Sequence, residues 1–128
     1  MAYDGTKFWY KNGDLHREDG PAIEKANGQK EWWVNGIRHR VGGPAYIGPD
    51  GTKGWYINGR KHREDGPAVE PGDDNPNGTR KWYINDRLHR EDGPAVENDD
   101  GTKEWWLNGT RYKESEWKQA VKSLKGKK

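Results

Sequence analysis

The sequence has no cysteine, one methionine and one phenylalanine, and Leu, Ile, Val and Phe together supply only 15 of its 128 residues. The first absence excludes disulfides and thiolate metal sites and fits an intracellular protein. The shortage of aliphatic side chains excludes a thick core and, taken alone, would place the chain among disordered sequences. No apolar run approaches 18 residues, so no membrane-spanning helix is expected. Met1-Ala2-Tyr3-Asp4-Gly5 enters the first sequence unit with no apolar leader, and the expectation is a cytoplasmic protein. Nor does one sign of charge dominate: 23 Lys and Arg stand against 21 Asp and Glu, leaving +2. The surface is mixed in sign rather than polycationic.

What the chain does have is eight Trp and six Tyr, placed periodically. Trp9, Trp32, Trp55, Trp82 and Trp105 follow one another at steps of 23, 23, 27 and 23 residues. His16, His39, His62 and His89 keep the same rhythm, and Tyr112 takes the fifth position. A period of this size marks a repeat architecture. Large rings bury roughly 150 to 250 Å² each, so a thin layer stapled by rings is possible where an aliphatic core is not.

The unit reads Asp-Gly-Thr-Lys-x-Trp-aromatic-x-Asn-Gly-x-x-His-Arg-x-Asp-Gly-Pro-Ala. Asn12-Gly13, Asn35-Gly36, Asn58-Gly59 and Asn108-Gly109 predict two-residue type I′ hairpins, with Asn85-Asp86 as a variant. A second turn heads each unit, at Asp4-Gly5, Asn27-Gly28, Asp50-Gly51, Asn77-Gly78 and Asp100-Gly101. Two turns per period give two strands per repeat. The predicted fold is all-β: an elongated single-layer antiparallel meander of about five two-stranded repeats over residues 1–114. Pro21, Pro44, Pro67 and Pro94, each after Gly, predict a kink or bulge in the second strand.

Pairing outward from the Asn-Gly loop sets Lys11 opposite Asp14, Tyr10 opposite Leu15, Trp9 opposite His16 and Phe8 opposite Arg17. Alternation then sorts the faces. One carries Trp9, His16 and, two residues after each Trp, Lys11, Val34, Ile57, Ile84 and Leu107; it is the expected core face. The other carries Tyr10, Trp33, Tyr56, Tyr83 and Trp106 beside Arg17, Arg40, Arg63, Arg90 and Lys113. This aromatic and Arg-lined ladder is the predicted partner-binding face.

Three departures break the pattern. Val41-Gly42 replaces the Glu-Asp of the other units, and that unit ends in Tyr46-Ile47. Pro71-Gly72-Asp73-Asp74-Asn75-Pro76 supplies the four extra residues before the fourth unit. Residues 115–128 form a predicted cap and basic tail: Ser115 is a suitable N-cap, Glu116 suits the first turn, and Trp117, Ala120, Val121 and Leu124 make one apolar stripe.

Trp-Tyr-x-Asn-Gly with Gly-Pro-Ala resembles variant MORN repeats, which form single-layered hairpin meanders. His-Arg-x-Asp-Gly-Pro-Ala with the closing helix looks more like tandem-repeat proteins of large bacteriophages and giant viruses. The resemblance covers roughly residues 4 to 124. It implies a scaffold or binding role, a phage or viral origin with action in the host cytoplasm, and no catalytic residue.

The chemistry agrees with a non-catalytic reading. Histidines two strands apart are separated by about 10 Å, whereas ligands sit about 2 Å from one metal; the expectation is no metal, no cofactor, and a structural histidine packed on its Trp. His-Arg-Glu-Asp repeated along a flat sheet offers no water-excluding site. Asp19, Asp65 and Asp92 are expected to accept backbone hydrogen bonds at the kink, and Arg to pair with an acid across the strand. Asp73-Asp74-Asn75 lacks the Gly and distal Glu of a calcium loop and reads as a solvated turn. Tyr, Trp and Arg are the usual hot spots of protein interfaces, and a protein partner is the leading reading. Nucleic acid or nucleotide binding on the same face and a structural or assembly scaffold are the alternatives.

Overall fold

A computed structural model describes residues 5–72, 75 and 77–126. Asp4 of the first Asp-Gly turn, Asp73, Asp74 and Pro76 of the inserted loop, and the tail residues Lys127 and Lys128 lie outside the described residues. In the first repeat the chain forms β1 (Lys7–Phe8), β2 (Tyr10–Lys11), β3 (Asp14–Leu15) and β4 (Ile23–Glu24). β2 and β3 are joined by Asn12-Gly13, with φ of 53° and 85°. Both values lie in the left-handed region that a type I′ turn demands. Asn85 and Asp86 reach the same region at 49° and 69°. The register is the one the turn dictates, Tyr10 with Leu15 and Lys11 with Asp14.

In the first four repeats each predicted strand is interrupted once, whereas in the fifth Lys103–Leu107 runs unbroken. Trp9 separates β1 from β2, and residues 16–22 form a bend between β3 and β4. The outer segments make one ten-stranded antiparallel sheet. Its spatial order is Lys7–Phe8, Ile23–Glu24, Lys30–Glu31, Tyr46–Ile47, Lys53–Gly54, Val69–Glu70, Arg80–Lys81, Val96–Glu97, Lys103–Leu107 and Thr110–Tyr112. The hairpins lie beside it in a second row and bond to one another. Arg17 N donates to Trp33 O and Gly36 N to Leu15 O, and the same pair of bonds recurs between every two hairpins. The result is a single-layer all-β meander of five repeats with a C-terminal helix.

Phe8 pairs with Ile23 rather than with Arg17. After His16, whose N–H still bonds to Trp9 O, the chain leaves its own hairpin partner and bonds to the next repeat. That swing carries the Arg side chain onto the Trp side of the layer. Arg17 Cζ stands 3.9 Å from the Trp9 ring centre, Arg40 4.1 Å from Trp32, Arg63 3.8 Å from Trp55 and Arg90 3.9 Å from Trp82. The guanidinium also closes the bend. Arg63 donates from Nε to Asp65 Oδ1 (2.9 Å) and from Nη1 to Pro67 O (3.1 Å) and Glu70 Oε1 (2.6 Å). The Asp accepts from Arg, and the acid at +7 completes the lock.

This lock explains the glycine before each proline. A Cβ on Gly66 would come within 2.9 Å of Arg63 Cζ, and Gly20, Gly43 and Gly93 meet their arginines at 2.7 to 2.9 Å. The alanine after each proline is sewn in from both sides: Ala22 O accepts from Trp9 N, and Ala22 N donates to Glu31 O. Ala22, Ala45, Ala68 and Ala95 are fully buried.

Histidine ties repeat to repeat. Nδ1 of His16, His39, His62 and His89 accepts the backbone N–H of Asn35, Asn58, Asn85 and Asn108, at 2.9 to 3.1 Å. Its structural role is thus a hydrogen bond to the next turn. In the neutral ring that bond leaves the proton on Nε2, which faces Glu18, Glu64 and Glu91 in the three repeats that carry the acid.

Helix α1 (Glu114–Gly126) begins one residue before the expected Ser115 cap. Lys113 N donates to Glu116 Oε1, so the glutamate rather than the serine satisfies the helix start. Trp117 and Val121 pack with Leu107, flanked by Trp105, Tyr112, Ala120 and Leu124. The Trp117 ring lies 4.7 Å from that of Trp105, and its Nε1 donates to Arg90 O at 3.1 Å. The last repeat has Lys113 where the others have Arg, and an indole occupies the place of the guanidinium.

Replacing Gly66 with Ala should force Arg63 out of this lock and destabilise the chain by about 1 to 3 kcal/mol. In an Arg63→Ala background the same change should cost less than about 0.5 kcal/mol. Urea unfolding of the four proteins measures the cycle, and additive effects would show that the glycine answers to something other than the arginine.

Candidate binding faces

Alternation puts Tyr10, Trp33, Tyr56, Tyr83 and Trp106 on one side of the hairpin row, and the structure gives each a cross-strand neighbour fixed by the turn. These are Leu15, Arg38, Lys61, Leu88 and Arg111. Arg17, Arg40, Arg63 and Arg90 are absent from this row, because each is committed to its Trp on the opposite side. The predicted ladder is therefore two features. One is an aromatic row with its own cations, and the other is a file of Arg-Trp locks.

Cations bridge neighbouring hairpins of the aromatic row. Arg38 Cζ stands 5.1 Å from the Trp33 ring centre, 5.0 Å from Tyr56 and 5.4 Å from Tyr46, while Lys61 Nζ lies 5.1 Å from Tyr83. Tyr10 is 62% exposed and stacks on Phe8 at 6.2 Å, and the other four rings of the row are half-buried. Sequence reasoning passed over Arg38 and Lys61, although the Asn-Gly register already set Arg38 against Trp33 and Lys61 against Tyr56.

Behind Arg38 sits the one buried carboxylate among the described residues, Glu31. Its Oε1 accepts from Arg38 Nη2 (2.7 Å) and Trp33 Nε1 (3.1 Å), and its Oε2 accepts from Gln29 Nε2 (2.7 Å). Burial alone would raise the Glu31 pKa. Hydrogen bonds from Arg38, Gln29 and Trp33, with the Arg38 charge, outweigh that and hold it below the ordinary carboxylate value. The pair fixes the ring of Trp33 and aims Arg38 along the aromatic row.

On the opposite side, open grooves separate successive locks. One of about 730 Å³ is lined by Trp82, Ile84 and His89 between the loops at 63–66 and 90–92. Another of about 570 Å³ is lined by Trp55, Ile57 and His62 between Arg40-Val41-Gly42 and Arg63-Glu64-Asp65. Among the described residues no group of three or more His, Cys, Asp or Glu is placed to hold a metal, and no helix is long and apolar enough to cross a membrane. Comparison with protein families, with curated proteins and with solved structures gives no match.

Because the folded pKa of Glu31 is depressed, its contribution to stability is complete above the unfolded value of about 4.3 and is lost as pH falls through the folded value. Urea midpoints of wild type and Glu31→Gln should therefore differ most near neutral pH and converge as pH drops below about 4. A gap that stays constant down to acid pH would remove the charge of Glu31 from the account.

Proposed function

We propose that the protein is a non-catalytic binding module that docks a protein partner on its aromatic row. The observation that supports this most is the single layer itself: five hairpins each present one ring on the same side, and among the described residues no second layer covers them. Partly exposed Tyr and Trp beside Arg and Lys are the residues most often found as interface hot spots, and they present area at little entropic cost because their rings are stiff. The near balance of acidic and basic residues favours a protein surface over a polyanion, whose binding would rest on uncompensated cations. The motif's resemblance to phage and viral repeat proteins adds a source, and a host or viral protein as the target class.

The test is affinity capture from a host lysate with and without nuclease, followed by titration of the captured species in purified form. Wild type is compared with a Tyr10→Ala, Tyr83→Ala double variant and with Lys25→Ala as a surface control. The expected result is a discrete protein retained after nuclease, bound at a fixed ratio, with affinity reduced about tenfold or more in the double variant and unchanged in the control. Retention of nuclease-sensitive nucleic acid alone, with affinity falling steeply as salt rises, would replace the reading with nucleic-acid binding. Self-association that consumes the same rings would replace it with a scaffold.

A further inference from the structure

The second repeat differs from its neighbours at positions that the fold gathers into one place. In the first, third and fourth repeats the locked guanidinium is matched by two carboxylates. Nε donates to Asp19, Asp65 and Asp92 at 2.9 to 3.1 Å, and Nη1 donates to Glu24, Glu70 and Glu97 at 2.6 to 3.3 Å. In the second repeat Gly42 and Ile47 stand at those two positions. Arg40 keeps the rest of the lock: its Cζ lies 4.1 Å from the Trp32 ring centre, its Nη1 donates to Pro44 O at 3.0 Å, and it presses on Gly43. The side chain is therefore held in the common pose, yet it meets no carboxylate among the described residues. Its unbonded N–H groups are not sealed from solvent.

Arg40 forms one wall of the groove of about 570 Å³ that also contains Val41, Trp55, Ile57 and His62. Val41 is 78% exposed, an apolar side chain where the other repeats carry a glutamate. The equivalent groove one repeat on is lined by Glu64, Asp65, Glu91 and Asp92. Here only Glu64 and Asp65 remain, and Asp65 is already bonded to Arg63.

We propose that this groove binds the carboxylate of an acidic residue on a peptide partner, with Nε of Arg40 as its donor and an adjoining apolar side chain of the peptide against Val41, Ile57 and Trp55. The neighbouring repeats display the bound state, since Asp19, Asp65 and Asp92 occupy on their own arginines the position that the ligand takes on Arg40. A charge-assisted hydrogen bond to a guanidinium already oriented by its ring and by a carbonyl loses little freedom on binding. A single negative charge fits, because the acids of the far wall oppose a dianion. The site lies on the opposite side of the layer from the aromatic row and stands without it.

The experiment follows the side-chain Nε–Hε signal of Arg40, assigned through Arg40→Gln, in the ¹⁵N-labelled full chain. The probes are acetyl-Val-Asp-amide, its uncharged counterpart acetyl-Val-Asn-amide, and inorganic phosphate. The aspartate peptide should shift the signal saturably, and the asparagine peptide should bind about ten- to a hundredfold more weakly. Ile47→Glu should weaken the response about tenfold, because an internal acid on Nη1, as Glu70 is for Arg63, offsets the guanidinium charge while leaving Nε open. It should fold, because position 47 lies between Lys30 and Lys53 in the sheet. Ile47→Gln, which brings no charge, should leave binding intact. The proposal is overturned if the Arg40 signal does not saturate, if both peptides act alike, if phosphate binds more tightly than the aspartate peptide, or if Ile47→Glu binds as wild type does.

Discussion

The guanidinium on the indole is the contact on which the rest of this structure depends. A single layer buries little apolar area beyond four alanines, a few aliphatic side chains and the helix contact, so the bend that returns each hairpin to the sheet must be held by something other than a thick core. Arg63 does this in one stroke: its flat face lies on Trp55, its edge bonds to Asp65, Pro67 and Glu70, and its plane presses on Gly66. Cation–π attraction at such a site is worth roughly 0.5 to 2 kcal/mol. Together with charge-assisted hydrogen bonds it replaces the aliphatic packing that the composition denies. Lysine could not serve, since a point charge on a flexible stem offers neither a plane nor a fork.

Around that lock, among the described residues, the repeats join through bonds between consecutive units. Two backbone bonds and one histidine bond connect each hairpin to the next, and the outer segments continue as a ladder. Stability in such an array is close to a sum over units and interfaces, so its last interface needs a different closure. The helix provides it by setting Trp117 on Trp105, where a further guanidinium would otherwise be required.

Much of this was legible in the residues. The Asn-Gly turns set both the hairpins and their register, because positive φ at both central residues leaves one way to pair the flanking strands. The period gave the number of units, and the spacing of Trp117, Ala120, Val121 and Leu124 gave the helix. What alternation missed was the face of the arginines. It assumes a straight strand, and the chain bends after His16 because Arg17 N finds its acceptor in the next repeat, a contact with no local signature. A signal was nevertheless present. Arg is followed at +3 by Gly in four units, and the acids at +2 and +7 are present together in the first, third and fourth units and lost together in the second. Residues that come and go as a set share a neighbour, and here that neighbour is the guanidinium.

Two kinds of variation follow from this architecture, and they bear differently on function. Substitutions that the lock forbids are invisible, since each of the four units that bend keeps its Trp, Arg, Gly and Ala. Substitutions that the lock tolerates can differ from one unit to the next at little cost to the layer. The second repeat gives up both acids on Arg40 while keeping the ring and the carbonyl that hold it. The same repeat buries Glu31 on Trp33, as the fifth half-buries Glu104 on Trp106, and sends Arg38 among Trp33, Tyr46 and Tyr56 on the other side, a reach that no other cation among the described residues makes. Both sides of the layer thus depart from the repeat within one unit. In a protein whose other parts are near copies, the proposed binding would take its specificity from what is not copied, and the second repeat is where both faces depart from the copy.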